Sequence, residues 1–127
     1  MRLLLRGIRH DFSKYGKHEE PYFRKYQPLL KNCVYGSDQY KQYLKELSVA
    51  LEHHYGNNDH HPEHFENGYA RMPLLARIEM LCDWKAATKR HRDGDIMRSI
   101  EGNAGRFGYD EKEKEIIVET AKEIGLV

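Results

Sequence analysis

The chain has 127 residues, a formal net charge of +1 at pH 7 and 32% charged residues of both signs. That length is one domain with room for a buried core, and the charge balance gives no argument for a nucleic-acid or membrane-surface partner. Two cysteines, Cys33 and Cys82, are too few for a disulfide framework, and neither a signal-peptide core nor a run of ~20 apolar residues is present, so a soluble cytoplasmic protein is expected.

Residues 2–9 read as a short helix, with Leu4, Leu5 and Ile8 on one face. His10-Asp11 follows at its end, where both side chains can reach one metal ion, with Ser13 and Lys14 supplying a hydroxyl and a cation. Over 19–32, Glu19 and Glu20 ahead of Pro21 make a first-turn pattern, Tyr22, Phe23 and Tyr26 are expected to pack, and Pro28 should break or kink the segment. The rings of Tyr35, Tyr40 and Tyr43 extend this aromatic set. It reads as core and rim of a small helical domain, with a base-stacking surface as the competing reading.

Gly36-Ser37-Asp38 is a turn with Ser37 or Asp38 as N-cap. The helix after it should run to about Tyr55, with the apolar stripe Tyr40, Tyr43, Leu44, Leu47, Ala50 and Leu51. One more turn of that stripe lands on His54, which should point inward with His53 to one side. Gly56 to Asp59 then tolerate a left-handed helix end. Pro62 suits the first turn of a short helix, and Asn67-Gly68 closes it.

Residues 53–64 hold five of the eight histidines, beside Asp59 and Glu63. Imidazole nitrogens and carboxylate oxygens together suit a divalent first-row metal. A solvated His-rich loop and a purely structural histidine network are the competing readings.

The helix from about Pro73 to His91 is apolar over most of its circumference through Leu74, Leu75, Ile78, Leu81, Cys82, Ala86 and Ala87. It should therefore lie in the middle of its domain, with Cys82 as a small core residue and Trp84 in core packing. Glu79 and Asp83, four apart, share a face with the small Ala76 and Ala87. Buried carboxylates there require a positive partner, either a metal, an Arg or a Lys. After the Asp93-Gly94-Asp95 turn, residues 95–107 and 110–124 read as two helices, with Asp110 as N-cap and Gly125 as stop. No strand-like alternation occurs. The chain reads as all-α, a compact single-domain helical bundle of about five to six helices.

Three blocks stand in order: His10-Asp11-Phe12-Ser13-Lys14; His54 with Asn58, His60, His61, Pro62, Glu63 and His64; and Glu79-Met80 with Asp83-Trp84. Together they resemble the HD superfamily of metal-dependent phosphohydrolases, and more closely the HD-like DUF5662 family of phages and bacteria. The resemblance implies a helical bundle with a metal site in its middle. His10, Asp11 and Asp83 would be ligands, joined by His54 and one or both of His60 and His61 in a two-metal version, and Lys14 would face substrate phosphate. The implied cofactor is one or two divalent ions (Mn, Fe, Mg, Co or Zn).

The implied activity is phosphohydrolysis of a nucleotide or related small phosphate ester by metal-activated water. Glu79 or Glu63 would orient ligands or move a proton. The superfamily's additional ligand histidine upstream of His-Asp has no counterpart among residues 1–9. A catalytically inactive HD-like module that binds a nucleotide or a protein partner is therefore the alternative. Oligomeric state is left open.

Overall fold

The computed structural model describes residues 1–34, 36–90 and 92–127. Tyr35, read above with the aromatic set, and His91, read as the end of the fourth helix, lie outside the described residues. All regular structure among the described residues is helical, as the periodicity predicted. The α-helices are α1 (Arg2–Arg9), α2 (Glu20–Asn32), α3 (Asp38–Asn57), α4 (Leu74–Thr88), α5 (Ile96–Phe107) and α6 (Glu111–Glu123). Short 3₁₀ turns cover Phe12–Tyr15, Pro62–His64 and Gly68–Arg71. No helix among the described residues is long and apolar enough to cross a membrane. The chain divides into two compact units, Ile8–Asn58 and Met1–Gly7 with Asp59–Val127.

In the Ile8–Asn58 unit, α2 packs on α3. The shared core is Tyr26, Leu47 and Ala50, flanked by Phe23, Leu30, Tyr43 and Leu51. Tyr43, Leu47, Ala50 and Leu51 lie on the stripe that the 3-and-4 spacing of α3 selected, and Phe23 and Tyr26 of the aromatic set pack with them, whereas Tyr22 is exposed. Ser37 caps α3, its hydroxyl accepting from the Tyr40 amide. Pro28 does not end α2, which continues to Asn32. Pro28 and Arg24 are both exposed, so water can satisfy the Arg24 carbonyl that a proline at position 28 leaves without its helical donor.

The end of α3 also differs from expectation. Asn58 is extended, with φ −129°, not left-handed. The last carbonyls are instead bonded by side chains: Asn57 Nδ2 donates to the His53 carbonyl at 2.8 Å and Asn58 Nδ2 to the His54 carbonyl at 2.8 Å.

The second unit has the larger core: Tyr69, Met72, Ala76, Met80, Leu81, Ile96, Ile100, Tyr109, Ile117 and Ala121, drawn mainly from α4, α5 and α6. Trp84 packs against it and stacks on Phe107, with centroids 5.9 Å apart and the rings 14° from parallel. Asp110 and Glu113 close a reciprocal capping box at the start of α6.

Cys82 is exposed and not a core residue. The buried face of α4 carries Ala76, Glu79, Met80, Leu81 and Thr88. At about 100° per residue, Cys82 falls two residues and some 200° beyond Met80, on the far side of that face. Leu74, Ala86 and Ala87 are exposed as well, so α4 is less enclosed than its composition suggested.

Tyr69 and Tyr109 meet edge to face in this core, 5.3 Å between centroids, and the Tyr109 hydroxyl donates to the Ile100 carbonyl. Burial, then the neighbouring Tyr69 and Glu101, push the Tyr109 phenol up to about 12. A phenol raised in the folded state contributes stability that is fully present below the unfolded value near 10 and is lost as pH climbs through about 12. Urea unfolding between pH 9 and 12 should therefore show a falling midpoint, and Tyr109→Phe should flatten that slope while lowering stability at neutral pH. An equal alkaline slope in Tyr109→Phe would assign the loss elsewhere.

Candidate functional site

Each unit holds one histidine–carboxylate constellation. In the Ile8–Asn58 unit, α3 delivers His54 inward, 3% exposed, and leaves His53 half-buried beside it, as the stripe predicted. Both rings turn Nδ1 toward one carboxylate, that of Glu19, which is fully buried. His53 Nδ1 lies 2.7 Å from Glu19 Oε1 and His54 Nδ1 lies 2.9 Å from Oε2. Burial is the largest single influence on Glu19 and raises its carboxyl, but hydrogen bonds from His53, Ser13 and His54 together outweigh it, and the net shift is downward. Glu19 is therefore held as a carboxylate. Its hold on Nδ1 of His54 leaves Nε2 as the lone-pair donor, the arrangement that metal-binding histidines use.

That Nε2 lies 3.3 Å from Asp11 Oδ1, while His10 Nε2 lies 3.4 Å from Asp11 Oδ2. These separations are long for hydrogen bonds. They match adjacent ligand atoms around a cation, which at bonds near ~2.1 Å stand about 3.0–3.4 Å apart. Asp11 is thus spaced as a shared ligand, with His54 beside one oxygen and His10 beside the other, and among the described residues Asp11 could hold a divalent metal with either histidine but not with both at once.

Asp11 reaches this position with a left-handed backbone, φ 55°, the one positive φ outside glycine among the described residues. Aspartate tolerates that region better than most residues, at some cost in backbone energy. Lys14, expected to face phosphate, donates to Asp11 Oδ2 at 2.5 Å and lies over the Phe23 ring at 5.8 Å. Asn58 donates to Ser13 Oγ at 2.8 Å, which ties the end of α3 to the 3₁₀ turn after Asp11.

In the second unit, Glu79 plays the part that Glu19 plays in the first. Its Oε1 lies 3.1 Å from His60 Nδ1, and His60 is 2% exposed. Glu79 Oε2 accepts from Arg6 Nε at 2.6 Å. The Arg6 guanidinium also pairs with Asp59, its Nη1 donating to Oδ2 at 3.3 Å and its Nη2 contacting Oδ1. The cation required beside Glu79 is thus an arginine. His61 lies against His60, ring centroids 4.1 Å apart. Asp83 sits one turn on from Glu79 on α4, partly buried. Glu63, a proton-transfer candidate, pairs with Arg106 at 2.8 Å.

Glu19 and Arg6 are the residues that sequence reasoning missed. Glu19 read as a helix-dipole acid ahead of Pro21, and Arg6 lay inside a leucine-rich run. Only the unpaired charge expected at Glu79 pointed to the second.

These features define a class: an all-helical protein in which buried carboxylates hold the Nδ1 atoms of histidines, within histidine and carboxylate groups that could hold a metal ion. A family model, "Family of unknown function (DUF5662)", matches residues 1–125, and the chain belongs to that family. No curated protein and no solved structure matches the chain.

Proposed function

We propose that this protein is a metal-dependent phosphohydrolase acting on a nucleotide or a related phosphate ester. The observation that carries the reading is the Asp11 carboxylate placed at ligand spacing from the Nε2 atoms of His10 and His54, with Glu19 fixing His54 from behind. Of the ligands read from the residue pattern, His10, Asp11 and His54 lie in the Ile8–Asn58 unit, and His60, His61 and Asp83 are proposed for the second. A divalent ion held by them would supply acidity for a water nucleophile and positive charge for phosphoryl oxygens.

The chain's own residues do the rest. Glu19 and Glu79 orient the rings of His54 and His60 through Nδ1. Lys14 is a partly exposed cation whose contact with Asp11 can be exchanged for a phosphate oxygen, and Glu63 is a carboxylate able to carry a proton. Glu79, tied to Arg6, acts as an orienting group and not as a proton shuttle.

The engagement of Lys14 with Asp11 favours one second reading, an HD-like module that binds its nucleotide or protein partner without cleaving it. Hydrolysis assays with nucleoside phosphates and Mn²⁺, Mg²⁺ or Co²⁺ separate the two. The hydrolase reading expects phosphate release that falls by at least about a hundredfold in Asp11→Asn. A metal-loaded protein that releases no phosphate from any of them selects the binding module.

A further inference from the structure

The second unit also contains a polar groove that the metal chemistry does not use. It measures about 450 Å³ and lies between α4 and α5, with the Asp93–Asp95 turn at one end, a volume within the range that holds small organic ligands.

Its shape follows from the sequence. Ser99, Asn103 and Arg106 are spaced four and three apart, so α5 presents them on one face. Opposite them α4 presents Trp84, Ala87 and Thr88, and the small Ala87 leaves the floor open beside the indole. Gly94 lets the turn pass close, since a Cβ there would stand 1.9 Å from the Thr88 carbonyl oxygen.

The lining combines three chemistries in one cleft. Trp84 is a flat aromatic surface braced by Phe107. Arg98 and Arg106 are guanidinium groups, both exposed, whose carboxylate partners are Asp93 at 3.8 Å and Glu63 at 2.8 Å. Exposed pairs of this kind are weak and exchange readily, and a guanidinium binds a phosphate through two parallel hydrogen bonds. Asn103 offers an amide with both donor and acceptor, the pair that reads an adenine edge. The carboxylate of Asp93 can accept from sugar hydroxyls.

We propose that this groove binds a purine nucleoside monophosphate, its base against Trp84 and Asn103 and its phosphate on Arg98 and Arg106. The inference extends the ligand class of the proposed hydrolase, but it rests on none of the metal-ligand residues, so the two can fail separately.

Trp84 is the single tryptophan of the chain and lines the groove, so its emission responds to a ligand bound there. The protein is titrated with adenosine 5′-monophosphate in EDTA. Saturable quenching is expected, weakened roughly tenfold or more in Asn103→Ala and in Arg98→Ala and unchanged in Asp11→Asn, with circular dichroism showing each variant folded. Inorganic phosphate alone should quench little. An absence of saturable quenching in the wild type overturns the proposal, as does binding that Asn103→Ala and Arg98→Ala leave intact or that Asp11→Asn abolishes. Quenching without any metal-dependent phosphate release would leave the groove standing and reject the hydrolase.

Discussion

Replacing Glu19 by alanine should destabilise the protein by about 3 kcal/mol, at the lower end of what removing one partner from a buried ionic network costs. The carboxylate is fully buried and serves two imidazoles at once. Its loss leaves both Nδ1 atoms without their acceptor and opens a cavity beside His54, whose ring meets Phe23 edge to face. Glu19→Gln keeps the volume and one acceptor, and should cost only about 1 kcal/mol. The same conservative change should still weaken metal binding by roughly ten- to a hundredfold, because a neutral amide does not fix the tautomer of His54. Urea unfolding gives the first quantity and calorimetric Mn²⁺ titration the second. If Glu19→Gln bound Mn²⁺ like the wild type, Glu19 would be a packing residue only.

The second large effect is expected at Arg6. Arg6→Met should cost about 2–3 kcal/mol, somewhat below a fully buried case because Arg6 and Asp59 keep partial access to solvent. The cost arises at Glu79, which is 9% exposed and loses the cation that compensates its burial. Glu79→Leu alone should be harmful as well, since it removes one of the two carboxylates that hold the guanidinium and the carboxylate that faces His60 Nδ1. The double variant Arg6→Met with Glu79→Leu should recover part of the loss, giving a coupling energy of roughly 1–3 kcal/mol in a double-mutant cycle. Additive losses would show that Arg6 and Glu79 contribute independently. In the wild type the guanidinium is pushed toward an even firmer positive charge by its hydrogen bond to Asp59, against burial and with help from Glu79, so the cation persists at every pH near neutrality.

Much of this arrangement was legible from residue spacing. The stripe from Tyr40 to Leu51 placed His54 at the core by arithmetic alone, and Ser37 and Asp110 stood where helix starts need an acceptor. The charge expected beside Glu79 was required by the cost of burying a carboxylate, and an arginine supplies it. What spacing could not reveal was who answers whom across the chain. Glu19 meets His53 and His54 from 34 and 35 positions away, and Arg6 meets Glu79 from 73.

Local rules misled at three points. Pro28 marks a helix break only where its missing donor cannot be replaced, and on an exposed face water replaces it. Asn57 and Asn58 end α3 with side-chain amides instead of left-handed backbone. Cys82 took its expected burial from apolar neighbours such as Met80 and Leu81, whose buried face of α4 turns away from it. In each case a local preference yielded to solvent or to a side-chain hydrogen bond that sequence periodicity does not encode.

The central claim is that Asp11, with His54 beside one of its oxygens and His10 beside the other, is a donor to a divalent cation. Equilibrium dialysis of wild type and Asp11→Asn against Mn²⁺, with circular dichroism confirming that both are folded, tests it most directly. The account predicts that the wild type retains one or two ions per chain and that Asp11→Asn loses at least one of them. Equal retention by the two proteins, or none by the wild type, would contradict it.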